Sequence, residues 1–191
     1  MFVLVGAMPQ GKANVQTDKP LPVWKANAAL LSKLGAEFTI DGYAIRPPRG
    51  YKMVSQKSGV MQANLWKGDV RDNGTAPGLV LLVSTPPPGE KKLPTIEQAL
   101  DMYLADIERN RKEWQRTKAE RGTVNGLTFV RARWSGTDLQ RGFPVNGFGY
   151  VFTDGKAYYT IGGQDIRPNG VTTLPLLEAA ALTFRKVEAK K

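Results

Sequence analysis

The sequence contains neither cysteine nor histidine. Without cysteine there is no disulfide, thiolate nucleophile, iron–sulfur cluster or cysteine zinc site. Without histidine the chain lacks the commonest metal ligand and the one side chain whose unperturbed pKa lies near neutrality. Neither a Ser-His-Asp nor a Cys-His arrangement can be assembled. Any catalysis would fall to carboxylates, Lys, Tyr or Ser. The absence of cysteine suits a reducing cytosol and an oxidising exterior equally. No apolar run approaches the ~18 residues that a membrane-spanning helix needs. Acidic charge is also scarce, with 17 Asp plus Glu against 27 Lys plus Arg, a formal net charge of +10.

What remains is an ordinary globular composition. The 191 residues are 41% hydrophobic and 9% aromatic, enough for one domain with a core that needs no metal or disulfide. The expected organisation is a tail over 1–21, a single domain over 22–187 and a basic tail over 188–191. Met1–Met8 (MFVLVGAM) is apolar and is followed by polar Gln10–Lys19. It lacks the basic n-region of a secretory signal. It reads as the end of an export signal whose start lies upstream, or as a buried N-terminal strand. The expectation is an exported or periplasmic protein, with a cytoplasmic location as the alternative.

Periodicity then orders the elements. Val23, Ala26, Leu30, Leu31 and Leu34, between Pro22 and Gly35, predict a helix over Val23–Leu34. Phe38, Ile40, Tyr43 and Ile45 flank Asp41-Gly42, a hairpin dipeptide, and Pro47-Pro48 stops the second strand. Val60–Trp66 reads as a strand. Leu79–Ser84 (LVLLVS), short and continuously apolar before a proline-rich exit, reads as a central buried strand. Thr95 and Gln98 form a capping box. The helix after it carries Ile96, Leu100, Tyr103, Ile107 and Trp114 on one face, with Arg109, Lys112 and Arg116 opposite. Glu108 and Lys112 form an i,i+4 pair in the favourable order. Asn125-Gly126 leads into Leu127–Trp134, with Val130, Ala132 and Trp134 on one face and Phe129, Arg131 and Arg133 on the other. Gly147–Thr153 and Lys156–Gly162 flank the hairpin dipeptide Asp154-Gly155. Leu174–Phe184 closes the chain as a helix entered through Thr173 and Pro175. Strands joined by hairpins, with helices between, predict an α/β (α+β) fold: an antiparallel sheet sandwiched by helices.

The segment Gly42-Tyr43-Ala44-Ile45-Arg46-Pro47-Pro48-Arg49-Gly50-Tyr51 resembles the opening "Gly-aromatic-x-Ile … Pro-x-Gly-aromatic" pattern of PsbP-like domains. The pattern usually ends in Trp, where this chain has Tyr51 and a doubled proline. The helix from Ile96, the Asn125-Gly126-Leu127 turn, the segment from Phe152 to Tyr159 and the last helix match its later parts, so the resemblance spans roughly 38–187. It implies an α/β/α sandwich on an antiparallel sheet. The family includes extrinsic subunits of photosystem II, a nuclear-import factor that binds Ran and exported bacterial proteins without known activity. The shared theme is protein binding without catalysis. The family offers no catalytic residue to carry over. The metal sites of its photosynthetic members have no matching residues here, so the resemblance implies no cofactor.

Candidate sites were weighed against plainer readings. The basic residues Arg109, Lys112, Arg116, Arg131 and Arg133 form a candidate interaction surface. The competing reading is a solvated basic face, since positive charge is spread along the chain and no nucleic-acid-binding motif appears. The glycine-rich stretch from Gly142 to Gly149 lacks phosphate-loop spacing and enters a strand. Gly162-Gly163 reads as a strand exit or bulge. Asp41, Asp154 and Asp165 read as turn residues. Aromatics from Trp66 to Tyr159 read as core, although alternate residues of Phe148–Phe152 must face opposite sides of the sheet. One of those sides is either covered by a helix or left open as a binding surface. The resulting expectation is a non-enzymatic binding or accessory protein, bacterial, whose partner is another protein. The alternatives are a nucleic-acid or anionic-surface binder acting through the basic face, a carrier of small apolar ligands and a carboxylate-dependent hydrolase.

Overall fold

The structure, a computed structural model, describes residues 20–86, 89 and 93–187. The expectations for Met1–Met8 and for 188–191 lie outside these residues. An eight-stranded antiparallel sheet forms the centre. Seven strands run in the order β3 (Lys52–Ser58), β4 (Met61–Lys67), β5 (Gly78–Ser84), β10 (Tyr158–Ile166), β9 (Pro144–Thr153), β8 (Leu127–Asp138), β6 (Arg111–Arg116), and β7 (Glu120–Val124) also pairs with β8. A three-stranded sheet joins β1 (Phe38–Ile40), β2 (Tyr43–Ile45) and β11 (Arg185–Lys186). The antiparallel α+β prediction is met, and the apolar run around Leu79–Ser84 is the inner strand β5.

Short-range signals form as expected. Asp41 and Gly42 both take positive φ in the β1–β2 turn, as do Asn125 and Gly126 in the β7–β8 turn, the geometry of a type I′ hairpin. Helix α2 (Ile96–Glu108) begins with the full capping box. Gln98 N donates to Thr95 Oγ1 and Thr95 N donates to Gln98 Oε1.

Three helix predictions are corrected. The first helix is one turn, α1 (Ala28–Leu31), because Asn27 is extended and caps it with its own side chain. The chain before it is a strap: Thr123 N donates to Pro22 O, and Trp24 N donates to Thr123 O. The second helix stops at Glu108 rather than running through Trp114. The chain turns at Arg109-Asn110 and returns as β6, where Trp114 stacks on buried Trp134. Glu113, with φ +54°, sits in an irregularity between Lys112 and Gln115. Lys112 and Arg116 are therefore strand residues, and the Glu108–Lys112 helix pair does not exist. At the C-terminus, α3 (Gly170–Ala181) starts four residues before the predicted Leu174, so Pro175 sits inside it.

The faces of the sheet are covered unequally. α2 packs on β8, β9 and β10, while α3 packs on β9 and β10 from the other side. The small sheet also covers that second side, with Tyr43 stacked on Phe184 and in contact with Phe152 and Tyr159, and Phe38 edge-on to Trp66. Gly162 and Gly163 are neither exit nor bulge. A Cβ on Gly162 would lie 1.8 Å from the Tyr103 hydroxyl, and one on Gly163 would lie 2.4 Å from the Phe148 ring. These glycines are seats for aromatic rings in a central strand, a close approach that only glycine permits.

Candidate functional site

α3 ends its coverage at β9. Beyond it β8 and β6 are only partly covered on that side: Phe129 is buried, but Arg133 is exposed and Ser135 and Thr137 are half-buried. Alternation along β8 puts Arg131, Arg133, Ser135 and Thr137 on this side and Val130, Ala132 and Trp134 beneath α2. The register sets Gln115 of β6 beside Ser135, and Asn146 of β9 on its other flank. The result is a cleft of about 410 Å³ lined by Gln115, Arg133, Ser135, Asn146, Arg167 and Leu174. It continues into a hollow of about 370 Å³ that shares Gln115, Ser135 and Arg167 and adds Glu113, Thr137 and Pro144. Leu174 of α3, Trp134 and Gly147 contribute apolar lining, and the hydrogen-bonding side chains stand among them.

One end of the cleft is fixed by an ion-pair network. Glu178 of α3 accepts from Arg133 at 2.7 and 2.9 Å and from the Tyr150 hydroxyl at 2.6 Å. The Tyr150 hydroxyl in turn accepts from Arg131 at 3.1 Å, and Arg131 also donates to Glu120 at 3.0 and 3.2 Å. The Arg131 guanidinium lies 4.1 Å over the Trp24 ring, a cation–π contact that ties the N-terminal strap to the sheet. Burial, reinforced by the Glu178 charge, pushes the Tyr150 phenol above its usual range. At the other end Arg167 donates to Asn146 Oδ1 at 2.7 Å.

The structure places the five predicted basic residues as follows. Arg131 and Arg133 are neighbours at the cleft's network end. Arg116 borders the cleft, but its guanidinium turns to Asp101 of α2 at 2.6 Å. Lys112 is exposed on β6 opposite Thr137. Arg109 lies apart at the end of α2, 3.0 Å from Asp106. The structure thus brings four of the five to adjacent strands, and gives each of the four arginines a carboxylate partner.

Asp165 is more than a turn residue. Its side chain is fully buried, holds Arg71 at 2.7 and 2.8 Å and accepts from Thr173. It thereby ties the loop after β4 to the start of α3. Asp154 stays in its turn, accepting from Lys156 N and Ala157 N at 2.9 Å each. Burial opposes its charge, but these two donors hold its carboxyl below the ordinary value. Among the described residues no three acidic side chains converge to hold a metal ion.

This is the fold of PsbP-like and Mog1-like proteins. The chain is similar to the cyanobacterial PsbP protein CyanoP of Synechocystis sp. PCC 6803, with a TM-score of 0.56 and 15% identity over 79% of this chain and 91% of that one. It is similar to LpqN of Mycobacterium tuberculosis, a protein involved in cell envelope biogenesis, with a TM-score of 0.54 and 10% identity over 87% and 99%. It is also similar to the Ran-binding protein Mog1p of Saccharomyces cerevisiae, with a TM-score of 0.50 and 10% identity over 80% and 95%. At these identities the likeness is one of fold. No protein-family model matches the chain, and no curated protein matches it by sequence.

The cleft residues Gln115, Ser135, Thr137, Asn146, Arg167 and Glu178 were not among those the sequence singled out. A period-2 signal was present for two of them, because Ser135 and Thr137 continue the alternation of Arg131 and Arg133 past Trp134. Gln115 was hidden by the helix prediction.

Proposed function

We propose that the chain is a non-catalytic binding or accessory protein of PsbP-like architecture that docks another protein in the cleft over β6, β8 and β9. The observation that carries this reading is a sheet face left uncovered by α3 and lined with hydrogen-bonding side chains. Small-molecule sites are mostly enclosed, whereas this cleft is open to solvent and combines apolar surface with hydrogen-bonding side chains, as a protein interface does. Specific phosphate binding draws on cations free to release counter-ions. Here Arg109, Arg116, Arg131 and Arg133 already face carboxylates, which disfavours the nucleic-acid alternative. A fold shared with a Ran-binding protein and a PsbP protein supports a partner that is a protein.

The same reading takes 22–187 as one working domain and assigns it outside the cytoplasm, in keeping with a fold shared with LpqN, which is involved in cell envelope biogenesis. The test is a photo-crosslinking amino acid placed at Ser135 and at Thr137 of the full chain in its own cells, with Val171 on the exposed side of α3 as control. One partner captured from both cleft positions and not from Val171 is the expected result. Equal capture from all three, or salt-sensitive DNA binding that survives loss of Arg133, would overturn it. Fractionation of the same cells checks export, with the chain expected outside the cytoplasmic fraction.

A further inference from the structure

The sheet face opposite the cleft is only half covered. Beyond α2, the strands β5, β4 and β3 turn apolar side chains to that side. Register pairs Val54 with Leu65 and Leu65 with Val80, and pairs Ala63 with Leu82. Val54 is 63% exposed, Met61 43% and Leu65 40%. Where this face meets α2, Leu65, Val80, Tyr103 and Ile107 line a concave hollow of about 210 Å³ floored by Gly162. All seven residues of β3, the edge strand, are exposed.

Two further observations say what belongs there. The first is spacing. Neighbouring strands lie ~4.8 Å apart and packed helices ~8–10 Å apart. With α2 centred over β9, the next helix position falls about two strands along, over β5 and the apolar row beside it. Helices α1 and α3 pack together on the other side of the sheet. The second is charge. From Gly42 to Gly68 the sequence holds Arg46, Arg49, Lys52, Lys57 and Lys67 and no Asp or Glu. Lys52 and Lys67 are direct cross-strand partners at one end of the apolar row, an arrangement that is destabilising on its own. Neither forms an ion pair among the described residues.

We propose that this groove docks an amphipathic helix of a partner protein. Its apolar face lies on Val54, Leu65 and Val80 beside Ile107, and its acidic residues meet Lys52 and Lys67. Helix-in-groove recognition uses such anchors at i, i+3, i+4 and i+7. A bilayer surface would touch Val54 and Met61 but could not reach Val80 and Ile107 within the hollow. The groove lies on the other face of the sheet from the cleft, so this inference stands whether or not the cleft binds a protein.

The test is a display library of random peptides of about 16 residues, some four turns of helix. It is selected on the full chain and counter-selected on a Val54→Asp/Leu65→Asp variant. Both substitutions sit at exposed positions, and an unchanged melting curve confirms that the variant folds. The expected winners carry apolar residues at helical spacing with Asp or Glu grouped at one end. A synthetic copy of the best should lose affinity by about tenfold or more against Lys52→Glu/Lys67→Glu. Winners without helical period, winners rich in Lys or Arg, or none surviving counter-selection overturn the proposal. So does sedimentation with vesicles of equal parts phosphatidylcholine and phosphatidylserine that the Val54→Asp/Leu65→Asp variant abolishes, which assigns the patch to a membrane. A dimer in sedimentation velocity that the same variant dissolves assigns it to a second copy of the chain.

Discussion

Replacing Gly163 with alanine tests the packing of the sheet most directly. Gly163 lies in β10 opposite Phe148 of β9 and Leu79 of β5, and its φ is outside the left-handed region. Alanine therefore meets no backbone strain, and the effect beyond that of an ordinary Gly-to-Ala change is steric. The new Cβ would sit 2.4 and 2.5 Å from two atoms of the Phe148 ring and 3.2 Å from Leu177 Cβ. Phe148 is 2% exposed and Leu177 0%, so neither has solvent to move into. Overpacking of a closed core costs about 1–3 kcal/mol. At roughly 2–4 °C per kcal/mol for a domain of this size, the middle of that range, about 2 kcal/mol, lowers the midpoint by about 4–8 °C. Gly78 is the internal control in β5, because a Cβ there would lie 3.7 Å from Leu65 Cδ1, an ordinary contact. Gly78→Ala should melt with the parent to within about 0.5 kcal/mol. Thermal unfolding followed by circular dichroism reads both. If Gly163→Ala and Gly78→Ala melt together, the idea that glycines seat the aromatic rings fails. Phe148→Leu in the Gly163→Ala background should restore part of the loss, a coupling visible in a double-mutant cycle.

Three other outcomes are expected. Asp165→Ala leaves the Arg71 guanidinium without its buried partner and should lower stability by about 3–5 kcal/mol in urea titration; a loss below about 1 kcal/mol, the scale of a surface pair, would contradict the buried role. Thr95→Ala removes one half of the α2 capping box and should lower stability by about 1 kcal/mol, with Thr95→Ser close to the parent. Burial raises the phenols of Tyr43, Tyr103, Tyr150 and Tyr159, and pushes that of Tyr51 up to about 12. Because the folded values lie above the unfolded value near 10, their contribution is full below pH 10 and is lost as pH rises beyond it. Phenolate absorbance should therefore appear together with unfolding; smooth titration near pH 10 in the folded protein would count against it.

The parts of the fold legible in the sequence are those whose cause lies within a few residues. Asp41-Gly42, Asn125-Gly126 and Asp154-Gly155 dictate their turns through backbone conformation, and Thr95 with Gln98 dictates a helix start through two reciprocal hydrogen bonds. Errors arose where a distant partner decides. Trp114 fits a helical period, yet its stack on Trp134 and the pairing of β6 with β8 override it. Lys52–Ser58 carries no burial pattern, because an exposed edge strand buries neither face. Val23 and Leu30 share a helical spacing by coincidence, since the strap's pairing with Thr123 holds the first of them extended. The cleft was illegible for a related reason. Ser135, Asn146 and Gln115 are unremarkable polar residues individually, and they form a site only because α3 is placed too far along the sheet to cover them. The basic residues were read as one face from their types, whereas their meaning depends on Asp101, Asp106, Glu120 and Glu178, the last of them far along the chain from Arg131 and Arg133.

The small sheet also governs when the molecule can finish folding. Its outer strand comes from the last turn of chain, with Arg185 pairing Ala44 and Lys186 pairing Tyr43, and the Asn125 side chain donates to Leu182 O and Phe184 O beside it. A ribosome releases residues in order from the N-terminus, so β2 emerges long before β11, the strand that completes its sheet. Contacts of such long sequence separation form slowly. The nascent chain cannot close its second layer before β11 has emerged. Until then β1 and β2 stand as a two-stranded hairpin without the strand that ties it to the segment after α3.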